Sequence, residues 1–196
     1  MRRVGLAIWL GALLLGIILL FWRVEWVYSL PTAVPKNYHH VPAGQRIDIA
    51  SRIKLHDGRP QVLHFFNPDC PCSKFNVTHF RSLVKLYAGR VDFIIVPMTD
   101  KKHTVKEIQD LFQLNLPVLF DTTLAAICGV YSTPQAVIID ANQTLYYRGN
   151  YNRSRYCTDK KSNYAMMALD SLLLRKANPV FNQYALQAYG CKIPGQ

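Results

Sequence analysis

The chain is short of acid. It has 12 aspartates and glutamates against 23 lysines and arginines, a formal charge of +11 over 196 residues. It has no internal repeat and no low-complexity segment, which excludes a solenoid and a compositionally disordered chain. It has no Met-rich or His-rich tract, so nothing in its composition marks a metal carrier. None of its five cysteines is paired at C-x-x-C spacing, the one that brings two thiols close to one face of a helix.

What the sequence does contain begins at once. After Met1-Arg2-Arg3, the run Val4 to Trp22 carries no charge. As a helix its 19 residues span about 28 Å, close to the hydrocarbon thickness of a bilayer. A cleaved signal peptide has a shorter apolar core, about 7–15 residues, and a small-x-small site after it. The best such site, around Pro31-Thr32-Ala33, is poor, so an uncleaved anchor is expected over 4–22. A core helix would need a polar face, and the run has none. Arg2, Arg3 and the terminal amine precede it, whereas Arg23 and Glu25 after it cancel. The positive-inside rule then leaves residues 1–3 in the cytoplasm and exports the rest. Trp22, Trp26 and Tyr28 suit an interfacial aromatic belt. Residues 23–54, with Pro31, Pro35 and Pro42, read as a tether and lead-in.

Taking Arg2, Arg3, Arg23 and Glu25 from the total of +11 leaves +9 on the exported part. That charge favours solubility, anionic headgroups or an acidic partner protein. Nucleic acid is not expected in that compartment. Thiols outside the cytosol tend to oxidise, so the odd set Cys70, Cys72, Cys128, Cys157 and Cys191 implies both pairing and at least one unpaired or reactive thiol.

The exported part suits one domain with a proper core. QVLHFF (61–66) follows the turn HDGRP and reads as a buried strand. Phe75, Phe80, Leu83, Val84 and Tyr87 recur at helical spacing, with Gly89 as a stop signal. VDFIIVPM (91–98) is a second strand. Thr104 with Glu107 three residues on forms a capping-box pattern for a helix to about residue 114. PVLFD (117–121) is extended, and a helix follows around TLAAICGV. QAVIID (135–140) and TLYYRG (144–149) form a hairpin across Ala141-Asn142-Gln143. A last helix covers about 163–176, and 177–196 is an extension. This alternation predicts an α/β fold of three layers, a mixed sheet with helices on both faces that ends in an antiparallel pair.

Cysteine is concentrated at the junction of the first strand and helix, FFNPDCPCSKF (65–75). That junction, the pair Thr133-Pro134 in YSTPQAVIID, and the closing hairpin together resemble the thioredoxin superfamily over residues 55–176. A closer likeness is to membrane-anchored redoxin-like proteins of bacterial envelopes. Some of these have a CPCS-type motif, a TP segment and a C-terminal Gly-Cys, here YGCKIP with Cys191. The resemblance implies a cis bond at Thr133-Pro134, facing an attacking Cys70. It places the anchor in a bacterial inner membrane, the domain in the periplasm, and protein thiols or disulfides as partners. It implies no metal or organic cofactor.

On that alignment Cys70 opens the helix, where N–H groups and the helix dipole favour a thiolate. Lys74 assists and Asp69 opposes. Ser73 occupies the place of the usual second cysteine. Cys72, two residues on, is about 200° around a helix and would point away from Cys70. A Cys70–Cys72 bridge therefore needs a distorted first turn, which Pro71 tolerates. Otherwise Cys70 is resolved by another thiol. Cys128, on an apolar helix, reads as a small buried hydrophobe. Cys157 and Cys191 read as a structural bridge pinning the tail, worth roughly 3–4 kcal/mol on the chain-entropy model. His64 stands six residues before Cys70, where thioredoxins have a buried acid. Its imidazole could move protons near neutral pH or be purely structural.

The expected activity is thiol–disulfide exchange through Cys70, with Cys72 or another thiol resolving. Two other functions suit the fold. A peroxiredoxin needs P-x-x-x-T-x-x-C, but the residue three before Cys70 is Asn67 and the one three before Cys72 is Asp69. A copper chaperone would use Cys70, Cys72 and a histidine such as His103, at a spacing foreign to that family.

Overall fold

A computed structural model describes residues 2–49, 51–52, 58–176 and 179–195. The expected domain boundaries at 54/55 and 176/177 and the His56-Asp57 end of the HDGRP turn fall partly or wholly outside the described residues. The chain starts with α1 (Arg2–Phe21), a π-helical turn (Trp22–Trp26) and the short α2 (Val27–Ser29). The stretch Arg2–Trp26 is long and apolar enough to cross a membrane, and none of its tested window is covered by the rest of the protein.

The sheet has four strands: β1 (Gln61–Phe66), β2 (Asp92–Pro97), β4 (Gln135–Ile139) and β5 (Leu145–Gly149), in the order β2-β1-β4-β5. β1 runs parallel to β2 and antiparallel to β4, and β4 pairs antiparallel with β5. All six residues of β1 and all five of β4 are buried. A strand covered on both faces has no need of polar alternation, and QVLHFF and QAVII have little. Alternate residues feed two cores. Val62 and Phe66 pack with Phe80, Phe93 and Phe112 under α3 (Pro71–Leu86), α4 (Val105–Phe112) and α6 (Tyr164–Leu173). Leu63 and Phe65 pack with Ile94, Val137 and Leu124 under α5 (Thr123–Cys128). The fold is thioredoxin-like: a mixed sheet layered by helices, with the candidate membrane span before it.

Local signals explain several element ends. Thr104 Oγ1 accepts from Glu107 N–H (3.2 Å) and Glu107 Oε2 from Thr104 N–H (2.8 Å), completing the capping box. α3 stops at Leu86 rather than running to Gly89, which takes the left-handed turn after it (φ 74°). α6 is three residues shorter than the expected 163–176 at its C-terminal end. There Arg175 turns left-handed (φ 52°) and Lys176 N–H reaches back to Ser171 O at 2.9 Å, a Schellman-type stop.

The segments flanking the predicted domain also belong to it. Val41, Ile47 and Ile49 are buried in the second core. Gly44 and Ile47 donate to Leu145 O and Gln143 O at 2.8 and 2.7 Å. At the other end, α7 (Gln183–Leu186) leads to β6 (Cys191–Lys192), which pairs antiparallel with β3 (Ser132–Thr133) as a second, two-stranded sheet.

Candidate redox site

The site forms where β1 gives way to α3. Asn67 shapes the turn: its Oδ1 accepts from Asp69 N–H (2.8 Å) and its carbonyl from Cys70 N–H (3.1 Å). Ser73, fully buried, accepts from Asn67 N–H through its Oγ at 3.2 Å. The residue in the usual second-cysteine position thus ties the turn to the helix. Cys70 is the N-cap of α3 with extended backbone (φ −87°, ψ 124°), and Pro71 occupies N1, where its missing N–H leaves nothing unpaired. Asp69 is engaged away from the thiols by Lys101 at 2.8 Å. The bond to that ammonium holds its carboxyl below the ordinary range.

The opposite wall is the Thr133-Pro134 segment, whose peptide bond is cis as the resemblance implied. Cys70 Sγ lies 3.8 Å from the Thr133 carbonyl oxygen. In the register of β3 with β6, Thr133 faces Cys191, and Ser132 faces Lys192. The tail therefore delivers Cys191 to Cys70, and the two form a disulfide across 121 residues.

One expectation about the cysteines needs correction, and one alternative left open is decided. The Cys157–Cys191 bridge does not form: strand pairing with β3 takes Cys191 to Cys70 and leaves Cys157 a free thiol. Cys157 instead accepts from Asn76 Nδ2 at 3.1 Å, and burial pushes its thiol pKa up to about 11. Cys70 is not paired with Cys72 either. Nor does Cys72 point away, because a 200° separation applies only if both residues are helical, and Cys70 is not. The sulfurs of Cys70, Cys72 and Cys191 all lie within 4.8 Å of one another. Burial raises the Cys72 thiol pKa, against a smaller lowering by the Arg155 guanidinium. Cys128 matches its reading as a buried hydrophobe: it is fully buried, and burial pushes its pKa to about 12.

Of the two roles left open for His64, its surroundings fit the structural one. It is fully buried, with its ring stacked on Phe80 at 4.1 Å and edge-on to Phe112 and Tyr151. Its Nδ1 is 2.7 Å from the Tyr151 hydroxyl. Burial, with a smaller contribution from His79, lowers its pKa to about 3, so the imidazole stays neutral and structural near pH 7. His103 is not among the groups that converge on the sulfurs. It sits 3.7 Å from Glu107 beside α4.

The sequence reading missed the reason for the Gly-Cys ending. A Cβ on Gly190 (φ 145°) would sit 2.2 Å from Thr133 O, so only glycine allows β6 to reach β3. Thr32, just past α2, adds a strap: its N–H donates to Ala188 O (2.8 Å), and its hydroxyl bonds Ser132 Oγ (3.0 Å) and Gly190 O (3.2 Å). Gly190→Ala is expected to cost about 1–3 kcal/mol and to free Cys191 for alkylation without reductant. An unchanged melting curve and disulfide occupancy would refute that role.

A cleft of about 380 Å³ opens beside Cys72 and Pro134, lined also by Tyr28, Asn76, Arg155 and Gly190. Arg155 forms part of its rim, donating to Val24 O at 2.8 Å and lying over the Tyr28, Phe75 and Tyr156 rings. The cleft thus faces the end of the apolar N-terminal helix.

The family model described as a domain of unknown function, DUF6436, matches residues 43–192. No curated protein sequence matches the chain. Among solved structures, a hypothetical protein from Sinorhizobium meliloti is 19% identical, with a TM-score of 0.64 over 80% of this chain and 96% of its own. An uncharacterized conserved protein from Geobacillus kaustophilus gives 19% identity and the same TM-score over 84% and 98%. A thioredoxin-family thiol:disulfide interchange protein from Chlorobium tepidum is 18% identical, with a TM-score of 0.46 over 60% and 81%.

Proposed function

The chain belongs to the DUF6436 family, and from the geometry of its cysteines we propose that it is a membrane-anchored thiol–disulfide oxidoreductase of the bacterial envelope. The observation that carries this reading is the Cys70–Cys191 disulfide at the N-terminus of α3, against the Thr133-Pro134 segment. In the reduced protein, the Cys70 thiolate attacks a partner disulfide. A Cys70–partner bond forms and the partner's other sulfur leaves as a thiol. Cys191 then attacks Cys70, closing the intramolecular disulfide and releasing the second partner thiol. Two electrons pass from the cysteine pair to the partner. The reverse sequence oxidises a partner dithiol. The helix N-terminus stabilises the Cys70 thiolate in both directions. Residues 4–22, within the apolar helix Arg2–Trp26, are the single-pass anchor of this reading, with residues 1–3 in the cytoplasm and the redox domain in the periplasm.

One experiment tests both parts. Spheroplasts expressing the full chain are given a small, membrane-impermeant disulfide. Exchange is expected with the wild type and is abolished by Cys70→Ser. Exchange that starts only after detergent would overturn the topology. No exchange even in detergent would overturn the activity.

A further inference from the structure

Exchange between Cys70 and Cys191 leaves Cys72 without a task. Yet Cys72 is only 2% exposed, its sulfur is grouped with theirs within 4.8 Å, and it borders the cleft. We propose that the reduced protein binds one monovalent copper ion between the sulfurs of Cys70, Cys72 and Cys191.

Three arguments lead there. The first is distance. Metal–sulfur bonds of about 2.3 Å put the sulfurs of a three-coordinate site about 4 Å apart, and these three already lie within 4.8 Å. Opening the disulfide lets Cys70 and Cys191 separate to that spacing. Cys191 sits on a two-residue strand and is partly exposed. The second is donor chemistry. Among the described residues the cluster is sulfur only, with no imidazole or carboxylate joining it. Thiolates select soft cations such as copper(I). Zinc needs a fourth ligand, and among the described residues the cluster offers three. The third is access: the cleft of about 380 Å³ beside Cys72 supplies an entry path, with the Arg155 guanidinium on its rim to balance an anionic complex.

The site is switched by redox state. In the oxidised protein two of the three sulfurs are bonded to each other. A partner dithiol supplies two electrons and two protons, breaks that bond and is itself oxidised to a disulfide. Three thiols then face one point, and copper(I) displaces their protons on binding. The metal exchanges no electrons with the protein. Copper and disulfide thus exclude each other at Cys70.

The test uses the full chain in detergent, reduced with a phosphine and titrated with copper(I) against a chromogenic chelator. One copper per chain is expected, with a sulfur-only first shell of three atoms by X-ray absorption and none bound by the oxidised protein. Cys72→Ser is expected to weaken binding about 100-fold or more, while Cys128→Ser and Cys157→Ser bind like the wild type. A chelator that strips all the metal, a two-sulfur shell in the wild-type absorption spectrum, or full affinity in Cys72→Ser would each overturn the site. So would a reduced protein that takes zinc four-coordinate in preference to copper. The spectrum of the wild type decides even if a variant misfolds. Protein that exchanges small disulfides but holds no copper would refute this site alone and leave the oxidoreductase reading intact.

Discussion

Cys191→Ser is expected to stop the proposed reaction halfway. Cys70, at the N-cap of α3, still attacks a disulfide, but the thiol that closes the cycle is gone. A Cys70–partner mixed disulfide should accumulate, visible by mass spectrometry of non-reduced protein. Turnover should fall about 100-fold or more, because a thiol in solution replaces one held in place by β6. The oxidised protein should also lose roughly 4–5 kcal/mol of stability, the chain-entropy value for a loop longer than 100 residues. The competing assignment makes the opposite claim. If Cys72→Ser traps the mixed disulfide and Cys191→Ser does not, Cys72 resolves and the strand pairing at Thr133 is incidental.

The second large effect concerns acid. His64 titrates near pH 6.5 when unfolded and at about 3 in the fold, because burial disfavours its charged form. Between these values the unfolded chain binds a proton that the folded chain does not. Stability from this group is therefore complete above pH 6.5 and is lost as pH falls, by about 1.4 kcal/mol per unit and on the order of 5 kcal/mol across the window. His79, also pushed down by burial, acts in the same direction. Urea unfolding at several pH values should show a shallower slope for His64→Phe than for the wild type between pH 6 and 4. That variant also leaves the Tyr151 hydroxyl without its partner, a cost of about 1–3 kcal/mol at every pH, so the slope and not the midpoint is the readout. Equal slopes would show that His64 does not govern acid sensitivity.

The parts of this molecule that were legible in the sequence are those with local causes. The apolar run at the start, the Thr104 capping box, the hairpin across 141–143 and the position of Cys70 all follow from neighbours within a few residues. The tail was illegible because its partner is far away. Nothing near Cys191 indicates that residues 132–133 form its strand partner, and Cys157 is the nearest other cysteine along the chain. The Gly-Cys pair was the available clue. Its glycine becomes meaningful only once a carbonyl is seen 2.2 Å from where a Cβ would be. Cys72 misled for another reason, because helical geometry was extended back through a capping residue that is not helical. The prolines of the lead-in suggest a tether, although Val41, Ile47 and Ile49 recur between polar residues and belong to the second core.

The two halves of the disulfide stand 121 residues apart. A chain made at 5–20 residues per second presents Cys70 roughly 6–24 seconds before Cys191 is synthesised. Throughout that interval the nearest thiol along the chain is Cys72, so the nascent protein meets any oxidase with the wrong partner at hand. The Cys70–Cys191 bond can close only after residue 191 is made and β6 meets β3. A newborn molecule caught by oxidation too early would need a reductant before it could begin work.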